Sequence, residues 1–175
     1  MGTPNYITTN GLELLRRELD YLQRVLRPQV AEEVRVAAAQ GDRSENAEYL
    51  FGKRKLRDID SRLRHLIGRL DNVVPVDPGG QTGDKVLFGA TVVVEDEDGE
   101  ERTWRIFGED EVEVENGIIS WKSPMARAML GRCEGDDIVV AAPQGKREMV
   151  IVEVRYEPQP ELPADFVPVK VRLRA

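Results

Sequence analysis

The sequence predicts an α+β fold: a long N-terminal antiparallel helical coiled-coil hairpin, then a small antiparallel β-sheet domain with one short helix. Three observations predict it. Apolar residues at Leu12, Leu15, Leu19, Leu22 and Leu26 step alternately by three and four, and Leu56, Ile59, Leu63, Leu66, Leu70 and Val73 repeat the alternation. Paired inward from the ends, from Leu12 with Val73 to Leu26 with Ile59, every pair of numbers sums to 85. A 3.5-residue period is a two-helix seam, and a constant sum is what an antiparallel hairpin requires. After residue 83 the pattern changes to short β-branched runs separated by turn residues.

Taken in order, residues 1–7 read as a short lead. Thr8 to Asn10 supply N-capping side chains, with Asn10 and Glu13 at the capping-box spacing. The first helix is expected to run to about Gln40. Pro28 falls inside it, and the lost backbone donor should bend the axis there. Val30 and Val34 continue the stripe, and Ala37, Ala38 and Ala39 let the helices close up. Gly41 is a helix stop, and the second helix is expected from Ser44 or Glu45 to about Asn72. An arm of about 30 residues reaches on the order of 45 Å, so Gly41-Asp42-Arg43-Ser44-Glu45-Asn46 is the polar tip of a rod.

Composition then places a coiled-coil domain at 1–76, a linker at 77–82, a globular domain at 83–157 and a Pro-rich tail at 158–175. Val86–Glu95, Thr103–Phe107, Ile118–Trp121, Ile138–Ala142 and Met149–Tyr156 read as strands. Asp98-Gly99 marks a hairpin turn, and Ser123-Pro124 opens a short helix over Met125–Leu130. Val169–Leu173 reads either as an edge strand or as a loose end.

The net charge of -7 is uneven: residues 1–76 carry +2 and residues 77–175 carry -9. The acidic second half argues against general duplex-DNA binding. Cys133 is the only cysteine, so no internal disulfide forms, which fits a reducing cytoplasm. With no apolar run of transmembrane length, no membrane role is expected.

Asp42 and Glu45 are the acids of the tip. Two carboxylates three residues apart can share a hard divalent cation. The same spacing is a capping box in which Asp42 satisfies the first N–H groups of the second helix. Both readings stand on the residues alone. Arg43, Lys53, Arg54, Lys55 and Arg57, with Arg35 from the first helix, gather positive charge near the tip. That cluster is either a solvated face or a grip on a phosphodiester chain. His65 is the lone histidine, so no histidine-based metal site or Ser–His pair can form. Trp104, Phe107 and Trp121 read as core or sheet residues.

Gly41 to Tyr49 resembles the tip signature of the bacterial Gre (GreA/GreB) transcript cleavage factors. Arg43 points to the GreB branch, where the GreA branch tends to have Leu. Lys55-Leu56-Arg57-Asp58-Ile59-Asp60 and Ser123-Pro124-Met125-Ala126-Arg127-Ala128 resemble the same branch, and the similarity runs from residue 6 to about 157. The resemblance implies an FKBP-like fold for the globular domain, which would dock on the β′ rim helices at the RNA polymerase secondary channel. It implies a monomeric factor, not itself an enzyme, whose rod reaches the extruded RNA 3′ end of a backtracked complex. Asp42 and Glu45 would help hold the second Mg²⁺, shared with polymerase only, with Ser44 supporting the tip. Arg35, Arg43, Lys53, Arg54 and Arg57 would face RNA, and Lys122, Ser123, Pro124 and Met125 would dock. Two residues depart from the family pattern: Lys122, at a position usually a small acid or amide, and Gly52, expected to soften the rod. Alternatives are a channel-binding regulator without cleavage stimulation and an FKBP-like chaperone.

Overall fold

The computed structural model describes residues 3–41 and 46–171. The chain groups into two compact units, Met1–Leu12 with Val73–Leu162, and Glu13–Asn72 with Pro163–Ala175. This grouping cuts the chain elsewhere than composition does. The supposed lead contains strand β1 (Asn5–Thr8), which pairs in parallel with β2 (Val73–Val76), Asn5 opposite Val73 and Thr8 opposite Val76. No described helix is long and apolar enough to cross a membrane.

In the helical unit, the predicted first helix is two helices, α1 (Thr9–Tyr21) and α2 (Arg27–Ala39), joined by a π-helical turn over Leu22–Leu26. The Arg27 N–H reaches back five residues to the Leu22 carbonyl. Pro28 explains the wide turn beside it. Proline has no N–H to give, and its ring crowds the carbonyl four residues back; a π turn holds one extra residue and opens that space. α3 (Ala47–Asp71) returns alongside.

The extra residue is visible in the packing. From Leu15 outward, the buried apolar positions of the outgoing arm are Leu15, Leu22, Val30 and Ala37, stepping seven, eight, seven. On α3 they are Gly52, Ile59 and Leu66, stepping seven throughout. The alternate seam positions Leu19, Leu26, Leu56, Leu63 and Leu70 are only half-buried, because each helix of a two-helix hairpin has a single neighbour. Cross-hairpin contacts pair Glu18 with Arg62, Arg27 with Asp60, Val34 with Gly52 and Ala37 with Asn46; their numbers sum to 80, 87, 86 and 83, bracketing the predicted 85. Gly52 does not loosen the rod, as its helix propensity suggests. It is buried, and a Cβ there would lie 2.5 Å from Val34 Cγ2. It is the residue that lets the helices approach. Glu18, 1% exposed, accepts two hydrogen bonds from Arg62 (2.9 and 2.7 Å) and one from the Lys170 N–H (2.9 Å).

The other unit is built on five strands: β3 (Thr91–Asp96), β4 (Glu101–Phe107), β5 (Ile118–Ser120), β6 (Asp137–Ala142) and β7 (Gly145–Arg155). Their spatial order is β5-β4-β3-β7-β6. The sheet is not wholly antiparallel, as predicted: β4 and β5 run parallel, Ile106 opposite Ile119. The chain leaves β4 at Phe107 and returns through two short 3₁₀ turns, Glu109–Glu111 and Val114–Asn116, which supply the crossover that parallel strands need. Gly117, at φ 72°, ends that crossover, where a Cβ would meet the Thr103 carbonyl at 2.8 Å. The predicted turn closes the β3–β4 hairpin, with Asp96 Oδ1 accepting from the Asp98 and Glu100 N–H groups at 3.0 Å each. Val92, Val94, Ile106, Ile138, Val140, Met149 and Ile151 cover one face, and Ala126 and Met129 of α4 (Pro124–Met129) pack on it.

Thr8, rather than Asn10, caps α1: its Oγ1 accepts from the Gly11 N–H at 3.0 Å. Asn10 instead binds the chain's later part, its N–H donating to Gln159 Oε1 (3.1 Å) and its Nδ2 to the Pro160 carbonyl (2.7 Å). Thr8 donates its hydroxyl to Glu111, whose carboxylate also accepts the N–H groups of Thr8 (3.0 Å) and Gly108 (2.8 Å). Burial raises the Glu111 pKa above its ordinary value, outweighing these donors.

Gly52→Ala is expected to lower stability by roughly 1 kcal/mol, because an overpacking strain of about 1–3 kcal/mol exceeds the helix-propensity gain of about 1 kcal/mol. Urea unfolding in the wild-type and Val34→Ala backgrounds checks this, since the penalty should vanish once Val34 is trimmed. For Glu111, the raised folded-state pKa means the native state binds the proton more tightly than the unfolded chain. Its stabilising contribution is therefore complete below pH 4.5 and lost as pH rises through the folded-state value. The stability difference between wild type and Glu111→Gln should accordingly shift against wild type across that window; a pH-independent difference contradicts the assignment.

Candidate functional site

α2 ends at Ala39, with the Gln40 N–H closing on the Ala37 carbonyl at 3.2 Å. α3 begins at Ala47, not at Ser44 or Glu45, and its N-cap is Asn46, not Asp42. Asn46 does two jobs. Its Oδ1 accepts the Tyr49 N–H at 3.1 Å, capping α3, and its Nδ2 donates to the Ala37 carbonyl at 2.8 Å, tying α3 to the last turn of α2. A short amide side chain in extended backbone, φ -82° and ψ 102°, suits this position. Asp42, Arg43, Ser44 and Glu45 lie outside the described residues.

Lys53, Arg54 and Arg57 are exposed on α3, about two to three turns from Asn46, with Lys53 and Arg57 on one face. Arg35, exposed on α2, grips Glu32 in two hydrogen bonds of 2.8 and 2.7 Å. That bond raises the Arg35 pKa and lowers the Glu32 pKa. Arg35 would have to exchange Glu32 for a phosphate, which solvent screening of so exposed a pair makes easy. Polarity alone gave no hint of Leu50 and Phe51, each 51% exposed and about one turn into α3. The available signal was their place in the run Tyr49-Leu50-Phe51, off the seam.

In the sheet unit, Ser123 caps α4, its Oγ accepting the Ala126 N–H at 3.2 Å, with Pro124 exposed behind it. Met125 is half-buried against the core. Lys122 is engaged within the chain, its Nζ 3.0 Å from Glu109 Oε2 and 5.3 Å from the centre of the Trp121 ring. Trp121 stands edge-on to Tyr6 at 5.3 Å, and Tyr6 leans on Phe88 at 5.9 Å. Sequence reasoning missed Glu109, Tyr6 and Phe88 as supports of this loop. The acidic run Glu109-Asp110-Glu111 was the signal for the first; the aromatics carried none.

Replacing Asn46 separates its two bonds. Asn46→Asp keeps the cap and loses the tie to Ala37, whereas Asn46→Ala loses both. Thermal unfolding should rank wild type above Asp above Ala, the Ala variant falling by on the order of 1–2 kcal/mol.

Two family models match the chain: Transcription elongation factor, N-terminal, over residues 5–74, and Transcription elongation factor, GreA/GreB, C-term, over residues 81–156. Transcription elongation factor GreB of Yersinia pestis is 48% identical over 158 residues, covering 90% of this chain and 92% of that protein. The GreB of Pseudomonas aeruginosa is 48% identical over 159 residues, covering 91% and 94%. A transcription elongation factor GreA, from Alkalilimnicola ehrlichii, is 43% identical over 152 residues, covering 86% and 96%. Among solved structures, the GreA factor homolog 1 (Gfh1) of Thermus thermophilus aligns over 87% of this chain and 99% of its own at 24% identity and a TM-score of 0.41. With family models matching residues 5–74 and 81–156 and nearly half of the aligned residues shared with the GreB relatives, this chain belongs to the GreA/GreB family of transcription elongation factors.

Proposed function

We infer that this chain is a transcription elongation factor that acts on RNA polymerase and stimulates transcript cleavage without being an enzyme itself. Family membership supports that much. The finer reading is that, as a monomer, it docks its sheet unit on the β′ rim helices through Lys122, Ser123, Pro124 and Met125. The helical hairpin then enters the secondary channel and brings Asp42 and Glu45 to the extruded RNA 3′ end.

The observation that carries the role of the acids is Asn46. It holds the N-cap position of α3 through the Tyr49 N–H and binds the Ala37 carbonyl, so the N-cap role that Asp42 could have taken belongs to Asn46. The donor chemistry fits a shared ion. Mg²⁺ demands about six oxygens in octahedral geometry, so two carboxylates cannot retain it but can complete a shell held from another side. When bound, Mg²⁺ neutralises charge on a scissile phosphate and lowers the pKa of a bound water. Asp42 and Glu45 would supply acceptor oxygens that orient such a water, and Ser44 would support their loop. Arg35, Arg43, Lys53, Arg54 and Arg57 would hold the RNA by its phosphates without reading its sequence. Leu50 and Phe51 add apolar contact area beside them.

The test is cleavage of the transcript in a stalled, backtracked elongation complex. Asp42→Asn and Glu45→Gln should each slow stimulated cleavage by on the order of 10²-fold, the scale of a lost electrostatic contact at a reacting centre, with polymerase affinity nearly unchanged. Full stimulation by the double variant would refute the role. Loss of binding together with activity would move the acids from chemistry to docking.

A further inference from the structure

The segment after residue 162 lies beyond both regions matched by the family models, yet it is held by specific bonds. Arg17 of α1 donates from one guanidinium nitrogen to the carbonyls of Pro163 (2.7 Å) and Phe166 (3.3 Å). Those two residues form a turn closed by the Phe166 N–H on the Pro163 carbonyl at 3.1 Å. The same guanidinium is steadied by Glu13, one turn back, at 2.9 Å. Farther on, the Lys170 N–H donates to Glu18, the carboxylate that Arg62 of α3 grips with two bonds. Thus two adjacent residues of α1 take opposite polarities of the 163–170 backbone: Arg17 takes carbonyls and Glu18 takes an N–H. Glu18 is sealed at 1% exposure.

The location has a mechanical meaning. Leu22–Leu26, the π turn, starts four residues beyond Glu18, and Pro28 follows it without a donor. π turns are rare and occur mostly as single-turn interruptions of an α-helix, so the regular backbone bonding of the outgoing arm is broken here. We propose that residues 163–170 are a splint: the chain's own tail, docked on Arg17 and Glu18, stiffens the helical hairpin next to its π turn. The inference goes beyond the cleavage reading and does not depend on it, because its test contains no polymerase.

Amide hydrogen exchange on the full chain, followed by NMR, tests it. The Phe166 and Lys170 amides should exchange at least about tenfold slower than an unstructured chain. Lys170→Pro removes the N–H that Glu18 accepts, and Arg17→Gln removes the clamp on Pro163 and Phe166. Either variant should bring Phe166 close to the unstructured rate and speed exchange at Gln23 to Arg27 by about three- to tenfold. Lys170→Arg, which keeps both the N–H and the charge, should behave as wild type. Unprotected Phe166 and Lys170 amides in the unaltered chain would overturn the docking. Unchanged exchange at Gln23 to Arg27 after the tail is released would overturn the splint.

Discussion

Everything in the helical unit depends on how closely α2 can lie against α3, and that distance is set where Val34 meets Gly52. A β-branched side chain is stiff, so Val34 needs a partner that yields space rather than one that moves. With glycine opposite, the 2.5 Å that any Cβ would have left becomes ordinary packing distance. Close approach at this point brings Ala37 within reach of Asn46, and so lets one amide both cap α3 and bind the end of α2. A pure propensity scale prices glycine in a helix as a loss; here the tertiary gain outweighs it.

Each unit also contains a carboxylate drawn out of solvent, Glu18 wholly and Glu111 in part, and surrounded by donors. Glu18 has the Arg62 fork and the Lys170 N–H. Glu111 has two backbone N–H groups and the Thr8 hydroxyl. A buried carboxylate without partners would be strongly destabilising, so these bonds are a condition of the fold more than an addition to it. The two differ in their donors. Glu18 faces a full positive charge, whereas Glu111 faces only neutral donors, and burial wins there, raising its pKa.

The hairpin was legible because periodicity is a local property and ten leucine-type positions repeat it; the eleventh, Val73, falls in β2 instead. The cap of α4 was legible for the same reason, since Ser123 and Pro124 are neighbours. What escaped was non-local. Asn-Tyr-Ile-Thr is too short to show a strand period, and its partner strand lies 68 residues away in sequence, Asn5 opposite Val73. The parallel direction of β5 follows from a crossover of 3₁₀ turns that leaves no apolar pattern. Asp42 and Asn46 are equally able to cap a helix; the choice fell to Asn46 because it alone among the two has an N–H to spend on the Ala37 carbonyl. Glu18 and Glu111 are two of 32 acidic residues, and nothing in the sequence singles out Glu18 or tells Glu111 from the other acids of its run. The acids of the candidate site were read from spacing and from resemblance to the Gre factors, and the described residues constrain them only through Asn46.

The π turn carries a consequence for direction rather than strength. An α-helix turns about 100° per residue, so a single surplus residue between Leu22 and Val30 swings everything distal to it around the rod's long axis by about that angle relative to an uninterrupted heptad. The turn therefore fixes the azimuth at which the far end of α2 and the start of α3 present their side chains. Pro28, by making the wide turn preferable, is in effect the residue that aims them.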